Sequence, residues 1–366
     1  MKKKILIVVG TRPNFIKMTQ FKKEASRFPL LDIKIVHTGQ HYDTKMADVF
    51  FKQFELVPDY FLNIAQDSAV AQMAQIMIKL ENLIHTSFNP DLMIVVGDVN
   101  STLSAALVAN KLNIKLAHLE SGLRSFDKTM PEENNRLLTD AITDYYFVTE
   151  KSGMTNLDNE KVKADSVFFV GNTMIDTLVA YHKSIQSSAI LKELNVESQK
   201  YVLMTMHRPA TVDEEKGLNT LISLIEEVTK ELKLVFPVHP RTLKNLEKYN
   251  LLQRFQSNKN IISTEPLDYF SFQKLIADCK FVLTDSGGIQ EESTFLGVPC
   301  LTLRPNTERP VTCEVGTNTL IPFDVEIIKH QINLITTGAY KKGSIPELWD
   351  GNATTRIVKI LNEVLS

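Results

Sequence analysis

Short apolar runs recur along the chain, and each ends in a cluster of glycine and polar residues. Residues 4–9 (KILIVV) lead into Gly10, and residues 92–96 (LMIVV) lead into Gly97. Uninterrupted apolar runs of this length are typical of strands that are buried on both faces of a parallel sheet. The pattern therefore predicts a series of buried strands that deliver polar turns at their carboxyl ends.

Amphipathic segments lie between these runs. Residues 69–85 carry Met73, Ile76 and Leu80 at helical spacing, which predicts a helix that buries one face against the sheet. Strands that alternate with helices in this way are typical of a doubly wound α/β sheet.

The alternation stops in a polar stretch at residues 181–200 and starts again at Tyr201. With 366 residues, the chain also exceeds the length that a single hydrophobic core usually serves. We predict an α/β protein with two doubly wound Rossmann-like domains, whose parallel sheets face an interdomain cleft. The predicted domains are residues 1–180 and 181–352, and the helix at 353–366 could cross back to the first domain.

Composition narrows the range of partners. Hydrophobic residues make up 43% of the chain and charged residues 23%, as in soluble globular proteins. The formal net charge of -2 gives no electrostatic basis for binding nucleic acid. Apolar runs fall short of the roughly 20 residues of a membrane span, and MKKKILIVVG leads into Gly10-Thr11-Arg12 instead of a small-residue cleavage site. We expect a cytoplasmic protein.

The cysteines do not indicate a metal centre or a disulfide. Cys279, Cys300 and Cys313 are odd in number and lack CxxC spacing, which argues against structural zinc and against disulfides. We expect them to pack as small apolar groups.

Charged residues follow the predicted strand ends of the first domain. Open α/β sheets bind ligands at this edge, and neighbouring parallel strands lie only about 4.8 Å apart. We therefore expect Asp98 and Glu120, which follow adjacent strands, to face one cleft. The other charged candidates along this edge of the first domain are Arg12, Lys17, Glu132 and Arg136.

A glycine turn in the second domain is the candidate anion site. Ser286-Gly287-Gly288 follows a strand and opens a helix, and free backbone N–H groups at a helix N-terminus attract phosphate. The alternative is an ordinary βα turn that needs glycine for positive φ. His207, His239, Arg241 and Arg309 lie at nearby strand ends, and Glu292 is placed to bind a ribose. Together these residues indicate a binding site for a nucleotide diphosphate.

Ten motifs span nearly the whole chain in a fixed order. They are GTRPNFIK (10–17), TGQHYD (38–43), GDVNST (97–102), HLESGLRSFD (118–127), MPEENNR (130–136), VGNTMID (170–176), HRP (207–209), PVHPRT (237–242), TDSGGIQEE (284–292) and NTERP (306–310). In this order they closely resemble the non-hydrolysing UDP-N-acetylglucosamine 2-epimerases, which share the GT-B fold. The resemblance implies an isomerase that interconverts UDP-N-acetylglucosamine and UDP-N-acetylmannosamine through UDP and 2-acetamidoglucal.

The resemblance also implies roles for individual residues. Asp98, Glu120 and Glu132 match the catalytic carboxylates, and His207 matches the histidine that contacts the phosphates of the leaving UDP. Acidic neighbours should keep at least one of these carboxylates protonated, which suits a group that takes and returns a proton. The substrate-binding set comprises Arg12, Lys17, Arg136, His239, Arg241, Leu267, Phe272, Ser286, Gly287, Gly288, Glu292 and Arg309.

Further expectations concern cofactors, partners and regulation. Elimination and re-addition need acid–base groups and charge stabilisation only, so no cofactor or metal is expected. The family resemblance implies a homodimer that supplies precursors of cell-surface polysaccharide. Gln40, His41 and His239 match part of an activating UDP-N-acetylglucosamine site in bacterial members, although residues 63–69 lack an arginine that some of them carry.

The chain departs from the family pattern at two places. Many members read GTRPE and HRxEN, whereas this chain has Asn14 and, at 207–211, His-Arg-Pro-Ala-Thr. Because a carboxylate is missing at each place, the substrate could be a related modified UDP-amino sugar. A GT-B glycosyltransferase and a catalytically silent UDP-sugar binding protein are the remaining alternatives.

Overall fold

The computed structural model of the protein describes residues 2–39, 50–65 and 67–366. The chain divides into two compact units. Unit 1 extends from the N-terminus to Ala180 and includes Glu347–Ser366, and unit 2 comprises Tyr181–Pro346.

Unit 1 is built on a parallel sheet of seven strands in the order β3-β2-β1-β4-β5-β6-β7. The apolar run that forms β1 is buried on both faces, with Ile5 to Val9 no more than 2% exposed, as expected for a central parallel strand. The strands are β1 (Lys3–Val9), β2 (Leu31–His37), β3 (Tyr60–Phe61), β4 (Leu92–Val96), β5 (Lys115–Leu119), β6 (Tyr145–Val148) and β7 (Val167–Phe169).

Helices connect these strands. Helix α3 (Ala69–Thr86) shows the amphipathic pattern that the sequence predicts. Its Ile76, Leu80 and Ile84 are buried, and the Ser68 hydroxyl caps its first turn by accepting from the N–H of Ala71. Residues 50–54 are also helical. The helices of unit 1 up to Ala180 are α1 (Arg12–Ile16), α2 (Phe21–Ala25), α3 (Ala69–Thr86), α4 (Asn100–Lys111), α5 (Pro131–Asp140), α6 (Lys151–Asn159) and α7 (Thr173–Ala180), with a 3-10 turn at Ala164–Ser166.

Unit 2 is built on a parallel sheet of six strands in the order β10-β9-β8-β11-β12-β13. The strands are β8 (Tyr201–Thr205), β9 (Lys233–Pro237), β10 (Ile261–Thr264), β11 (Phe281–Thr284), β12 (Cys300–Leu303) and β13 (Asn318–Ile321). The helices are α8 (His182–Gln186), α9 (Ile190–Glu193), α10 (Pro209–Val212), α11 (Glu215–Val228), α12 (Pro240–Lys248), α13 (Leu252–Ser257), α14 (Tyr269–Asp278), α15 (Gly287–Phe295), α16 (Pro310–Glu314) and α17 (Val325–Thr336).

Both sheets reverse their strand order at one point, between β1 and β4 in unit 1 and between β8 and β11 in unit 2. This is the doubly wound arrangement of a Rossmann fold, in which ligands bind outside the strand ends at the switch point. The prediction of two Rossmann-like α/β domains is confirmed. The switch points place the turn after β1 beside Asp98, and His207 beside the turn after β11.

The last helix, α18 (Ala353–Val364), belongs to unit 1. Its first turn is held by Asp176, which accepts from the N–H groups of Ala353 at 3.1 Å and Thr354 at 2.5 Å. Burial raises the pKa of Asp176 in spite of these hydrogen bonds. Just before the helix, the indole of the buried Trp349 donates to the carbonyl of Thr149 at 3.0 Å.

Strand β13 and helix α17 are among the elements of unit 2 that had no counterpart in the sequence reasoning. They lie in a stretch that contains no long apolar run, and only the two ends of β13 are buried. The pairing of β13 with β12 supplies the order that the local pattern lacks. In the part of the chain that the structure describes, no helix combines the length and the apolar character that crossing a membrane requires.

A buried histidine at the end of β2 makes the fold sensitive to acid. His37 is 5% exposed, its Nδ1 accepts from the N–H of Gly39 at 3.0 Å, and burial lowers its pKa to about 4. An unfolded histidine titrates near pH 6.5. Between these values the unfolded chain binds more protons than the folded one, so stability is present above about pH 6.5 and is lost as the pH falls.

We expect the free energy of unfolding to fall on the order of 2 kcal/mol from pH 7 to pH 5 through His37 alone. Urea unfolding of the wild type and of His37→Gln at both pH values measures this contribution, because the glutamine does not titrate. The exposed His85 provides the control variant His85→Gln, which should keep the wild-type pH dependence. Equal pH dependence in the wild type and His37→Gln would show the assignment to be wrong.

Candidate active site

The ends of β1 and β5 bring together a buried ion pair. Nζ of Lys17 lies 2.6 Å from Oε2 of Glu120, and the side chains are 5% and 4% exposed. Lys17 follows helix α1 directly, so the turn after β1 fixes its position. Lys17 is thus buried against one of the predicted catalytic carboxylates.

The backbone of Glu120 is held in the left-handed region with φ +76°, which residues other than glycine rarely adopt. The N–H groups of Glu120 and Ser121 both donate to the carbonyl of Phe147, at 3.0 and 3.2 Å. The Ser121 hydroxyl donates to the carbonyl of His118 at 2.5 Å. Strained backbone that is supported on several sides occurs often at functional sites, and here it aims one carboxylate at the edge of the sheet.

Asp98, at the end of β4, has its own cation. Nη2 of Arg136 donates to its carboxylate at 2.6 Å, and Nη1 of the same guanidinium donates to Glu133 at 2.6 Å. Arg136 is 2% exposed. The arginine that the sequence assigns to substrate binding thus contacts a predicted catalytic carboxylate, and the expected surface pairing of Arg136 with Glu132 is not its role.

Glu133 fixes the loop that precedes α5. Its carboxylate accepts from the N–H and hydroxyl of Ser125, each at 2.9 Å, and from the N–H of Phe126 at 3.0 Å. Sequence reasoning missed this residue, although an acid in the third position of a helix commonly reaches back toward the preceding chain. Its neighbour Glu132 is exposed, in contrast to the buried Arg136–Glu133 pair on the same helix.

Each of these two carboxylates has a cation as its partner. Asp98 has a guanidinium at 2.6 Å and Glu120 an ammonium at 2.6 Å. The sequence suggested acidic neighbours for these residues, whereas the structure places a cation directly against each of the two.

The turn after β1 also contains the residue that departs from the family pattern. The amide of the buried Asn14 accepts from the Thr11 hydroxyl at 3.0 Å and donates to the carbonyl of Val96 at 3.2 Å. A glutamate cannot donate to that carbonyl. Arg12, on the same turn, places its guanidinium 5.1 Å from the ring centre of Phe50.

In unit 2, the His207 side chain contacts a buried carboxylate at the switch point. Nδ1 of His207 lies 2.8 Å from Oδ1 of Asp285, and the imidazole is 54% exposed whereas Asp285 is fully buried. Oδ2 of Asp285 accepts from the N–H groups of His207 and Arg208, at 2.9 and 2.8 Å. The contact with Asp285 therefore fixes the orientation of the ring, while about half of the imidazole is exposed to solvent.

The contact with His207 also affects the pKa of Asp285. Burial alone would raise this pKa, but the contact with His207, the charge of its ring and the N–H groups of Arg208 and His207 bring it below its ordinary value. Sequence reasoning noted Asp285 only as the end of a strand. The signal was its place directly after β11, the strand that pairs with β8.

The Ser286-Gly287-Gly288 turn opens helix α15, with Ser286 at the N-cap and Gly287 as the first helical residue. A Cβ atom placed on Gly287 would lie 2.7 Å from Oε1 of Glu308 and 3.0 Å from Nη1 of Arg309. A side chain at this position would have to displace the charged ends of Glu308 and Arg309, which pack directly against the backbone. The turn joins N–H groups at a helix start to a guanidinium, as an anion site needs.

A group of buried charges surrounds this turn. Nε of Arg309 lies 3.0 Å from Oε1 of Glu291, its Nη1 contacts Glu308, and Arg304 reaches Glu308 at 3.1 Å. Burial lowers the pKa of Arg304, with Arg208 and Arg309 adding repulsion that Glu308 offsets in part. Sequence reasoning placed Arg304 only at the end of β12, and its role in this group was missed.

The remaining predicted residues lie at several places in unit 2. His239 caps helix α12 by accepting from the N–H of Arg241 at 3.2 Å, and Arg241 pairs with Asp213. Leu267 and Phe272 pack partly buried against the apolar core, and Glu292 is 5% exposed on α15.

Two further expectations concern regulation and metals. The predicted regulatory residues Gln40 and His41 lie outside the described residues. Within the described ranges, no group of three or more His, Cys, Asp or Glu side chains is arranged to hold a metal ion.

A family model described as UDP-N-acetylglucosamine 2-epimerase matches residues 23–362. The chain is 40% identical over 368 residues to a UDP-N-acetylglucosamine 2-epimerase homolog of Methanococcus maripaludis, covering 99% of this chain and 100% of the relative. It is 36% identical over 325 residues to the UDP-2,3-diacetamido-2,3-dideoxy-D-glucuronate 2-epimerase of Pseudomonas aeruginosa, covering 87% and 88%.

The similarity to this family extends to the three-dimensional structure. A crystal structure of Methanocaldococcus jannaschii UDP-GlcNAc 2-epimerase in complex with UDP-GlcNAc and UDP superimposes with a TM-score of 0.89 at 38% identity, covering 98% of this chain and 99% of that one. The predicted GT-B fold class is confirmed by this similarity.

Proposed function

Because this chain belongs to the UDP-N-acetylglucosamine 2-epimerase family, we propose that it interconverts UDP-N-acetylglucosamine and UDP-N-acetylmannosamine without net hydrolysis. The observation that carries the proposal is the strained, buried Glu120 with Lys17 at 2.6 Å. Glu120 supplies a carboxyl group held in a fixed direction, at a strand end next to that of Asp98.

The proposed reaction has two steps. In the first, a carboxylate removes the proton from C2 while the bond between C1 and the diphosphate oxygen breaks, giving UDP and 2-acetamidoglucal. In the second, a diphosphate oxygen bonds to C1 again and a proton is delivered to C2 from the opposite face. No water is consumed. The first step transfers one proton to the protein and releases UDP from C1, and the second step returns one proton to C2 and bonds UDP to C1.

Unit 1 provides the proton-transfer groups in this proposal. Asp98 and Glu120 each have a cation partner at 2.6 Å, and a carboxylate so placed suits the removal of a weakly acidic proton. Glu132 is exposed and lies on the helix whose Arg136 holds Asp98. It is therefore the candidate for exchanging protons with solvent.

Unit 2 provides the UDP-binding groups. The backbone N–H groups of Gly287 and Gly288, the Ser286 side chain and the guanidinium of Arg309 suit the diphosphate, and Glu292 suits the ribose. His207, oriented by Asp285 at 2.8 Å, stabilises the negative charge that develops as UDP leaves. Arg12 and Lys17 stay candidate UDP ligands from unit 1, although Lys17 already contacts Glu120.

A related modified UDP-amino sugar is the second candidate substrate. It is favoured by the similarity to the Pseudomonas aeruginosa UDP-2,3-diacetamido-2,3-dideoxy-D-glucuronate 2-epimerase and by Asn14, whose donation to the Val96 carbonyl a carboxylate at that position would not reproduce. The homodimer that the family resemblance implies stays a prediction.

The proposal is tested by identifying products. UDP-N-acetylglucosamine and UDP-2,3-diacetamido-2,3-dideoxyglucuronate are incubated separately with the enzyme, and the sugars are followed by NMR. We expect UDP-N-acetylmannosamine in equilibrium with the first substrate. Release of free N-acetylmannosamine and UDP would identify a hydrolysing enzyme, and turnover of the uronate alone would identify the second candidate.

A further inference from the structure

A fully buried histidine lies between the strand ends that carry the carboxylates. Nδ1 of His118 lies 2.6 Å from Oδ1 of Asp140, and its Nε2 lies 2.8 Å from the carbonyl oxygen of Gly97. Both partners are acceptors, and a carbonyl cannot donate. The ring satisfies both contacts only when both nitrogens carry a proton, that is, as an imidazolium.

Asp140 is the matching anion, and it is held from several sides. Its Oδ2 accepts from the N–H of Gly122 at 3.0 Å and lies 2.7 Å from Nη2 of Arg124. The hydroxyl of Tyr146 donates to its backbone carbonyl at 2.8 Å. Burial alone would raise the pKa of Asp140, but the charges of His118 and Arg124 and the N–H of Gly122 bring it below its ordinary value.

The chain segments that meet at this pair carry all three candidate carboxylates. Gly97, whose carbonyl His118 contacts, directly precedes Asp98, and His118 itself lies two residues before Glu120 on β5. Asp140 is the last residue of helix α5, which begins at Pro131 and carries Glu132. The pair therefore ties two strand ends and one helix to a single buried contact.

We infer that His118 is a positioning residue for the epimerase reaction, which acts by holding the Gly97 carbonyl and so the strand end that presents Asp98. The inference rests on the proposed function. Displacement of a reacting group by about 1 Å can cost on the order of 10²-fold in rate. His118 is fully buried, so it does not contact substrate and its effect passes through Asp98.

Two replacements separate the contacts of His118. In His118→Gln, the amide nitrogen is at the position of Nε2 and can still donate to Gly97. In His118→Asn, the shorter amide is at the position of Nδ1 and can donate only to Asp140. Both variants lose the charge and ring volume, so a purely structural role predicts similar losses of stability and activity in both.

We expect His118→Asn to lower kcat by about 10- to 100-fold and His118→Gln to stay within about threefold of the wild type. Values of KM, and of Kd for UDP from calorimetry, should change by less than about threefold in both, because the proposed UDP groups lie on unit 2. Wild-type kcat in a folded His118→Asn, or equal losses in the two variants, would overturn the inference.

A second pair of variants decides the matter if the His118 variants fail to fold. Asp140→Asn keeps the shape of the side chain but removes the charge that holds the imidazolium, whereas Tyr146→Phe removes only a hydrogen bond to the Asp140 backbone. We expect a fall in kcat of about 10-fold for Asp140→Asn and none for Tyr146→Phe. Equal kcat in both would contradict the inference.

These outcomes stay distinct from a failure of the proposed function. If the wild type neither epimerises UDP-N-acetylglucosamine nor exchanges its C2 proton, the proposed function is wrong. If the wild type does both and the His118 and Asp140 variants match it, only the positioning role is wrong.

Discussion

Replacement of Glu120 by glutamine is expected to lower kcat by about 10²–10⁴-fold, the usual contribution of a general base, while UDP still binds. Glutamine keeps the shape of the side chain and can accept from Lys17, but it cannot take a proton. The lost charge leaves the buried Lys17 ammonium without its counter-ion, so thermal stability should fall as well. Initial rates, C2 exchange and calorimetric UDP binding measure the three effects.

Glu81 supplies the matched control for this variant. Its side chain is 55% exposed on helix α3, so Glu81→Gln changes the same charge by the same chemistry and should leave kcat unchanged. Measurements are made well below the melting temperature of each variant, so that lost activity is not lost folding. Wild-type turnover by Glu120→Gln would remove Glu120 from the catalytic set.

Replacement of His207 by asparagine is expected to lower kcat by about 10²–10³-fold, as loss of one donor to a developing negative charge does. The imidazole is half exposed above the buried Asp285, so its removal should cost little stability. KM should change far less than kcat, because the charge on the departing UDP develops in the transition state.

Asp285→Asn is the companion variant. It keeps acceptors for the N–H groups of His207 and Arg208 but removes the charge that favours the imidazolium, so kcat should fall less than in His207→Asn. His85→Asn, at an exposed histidine of helix α3, is the control and should behave as the wild type. Undiminished kcat in His207→Asn would exclude a role in the departure of UDP.

Much of the fold was predictable because each central strand is an uninterrupted apolar run. The runs that form β4 and β11 are buried throughout, and β1 is buried from Ile5 to Val9; their glycine turns mark the strand ends. By contrast, β13 is short and its two middle residues are half-buried. Such a strand gains its order from pairing with β12, which no local pattern records.

The residues of the candidate site could be predicted from the sequence, but the pairs that they form could not. Lys17 and Glu120 are 103 residues apart in the chain and 2.6 Å apart in space. The partner of His207 is Asp285, 78 residues beyond it. Sequence reasoning placed these residues at strand ends but could not say which cation neutralises which carboxylate.

Backbone strain and buried charge were equally hidden. The left-handed φ of Glu120 occurs at a residue that gives no sign of it, whereas a glycine would have. His118 reads as an ordinary member of an apolar strand in KLAHL. Only the three-dimensional contacts to Gly97 and Asp140 show that its two ring nitrogens both donate.

The central claim is that the C2 proton is removed by a protein carboxylate while UDP leaves. The most direct measurement is proton NMR of UDP-N-acetylglucosamine incubated with the wild-type enzyme in D2O. We predict that the C2 proton signal disappears as deuterium enters C2, at a rate at least equal to that of epimer formation, and that Glu120→Gln abolishes this exchange. Epimer formation with full retention of the original C2 proton would contradict the account.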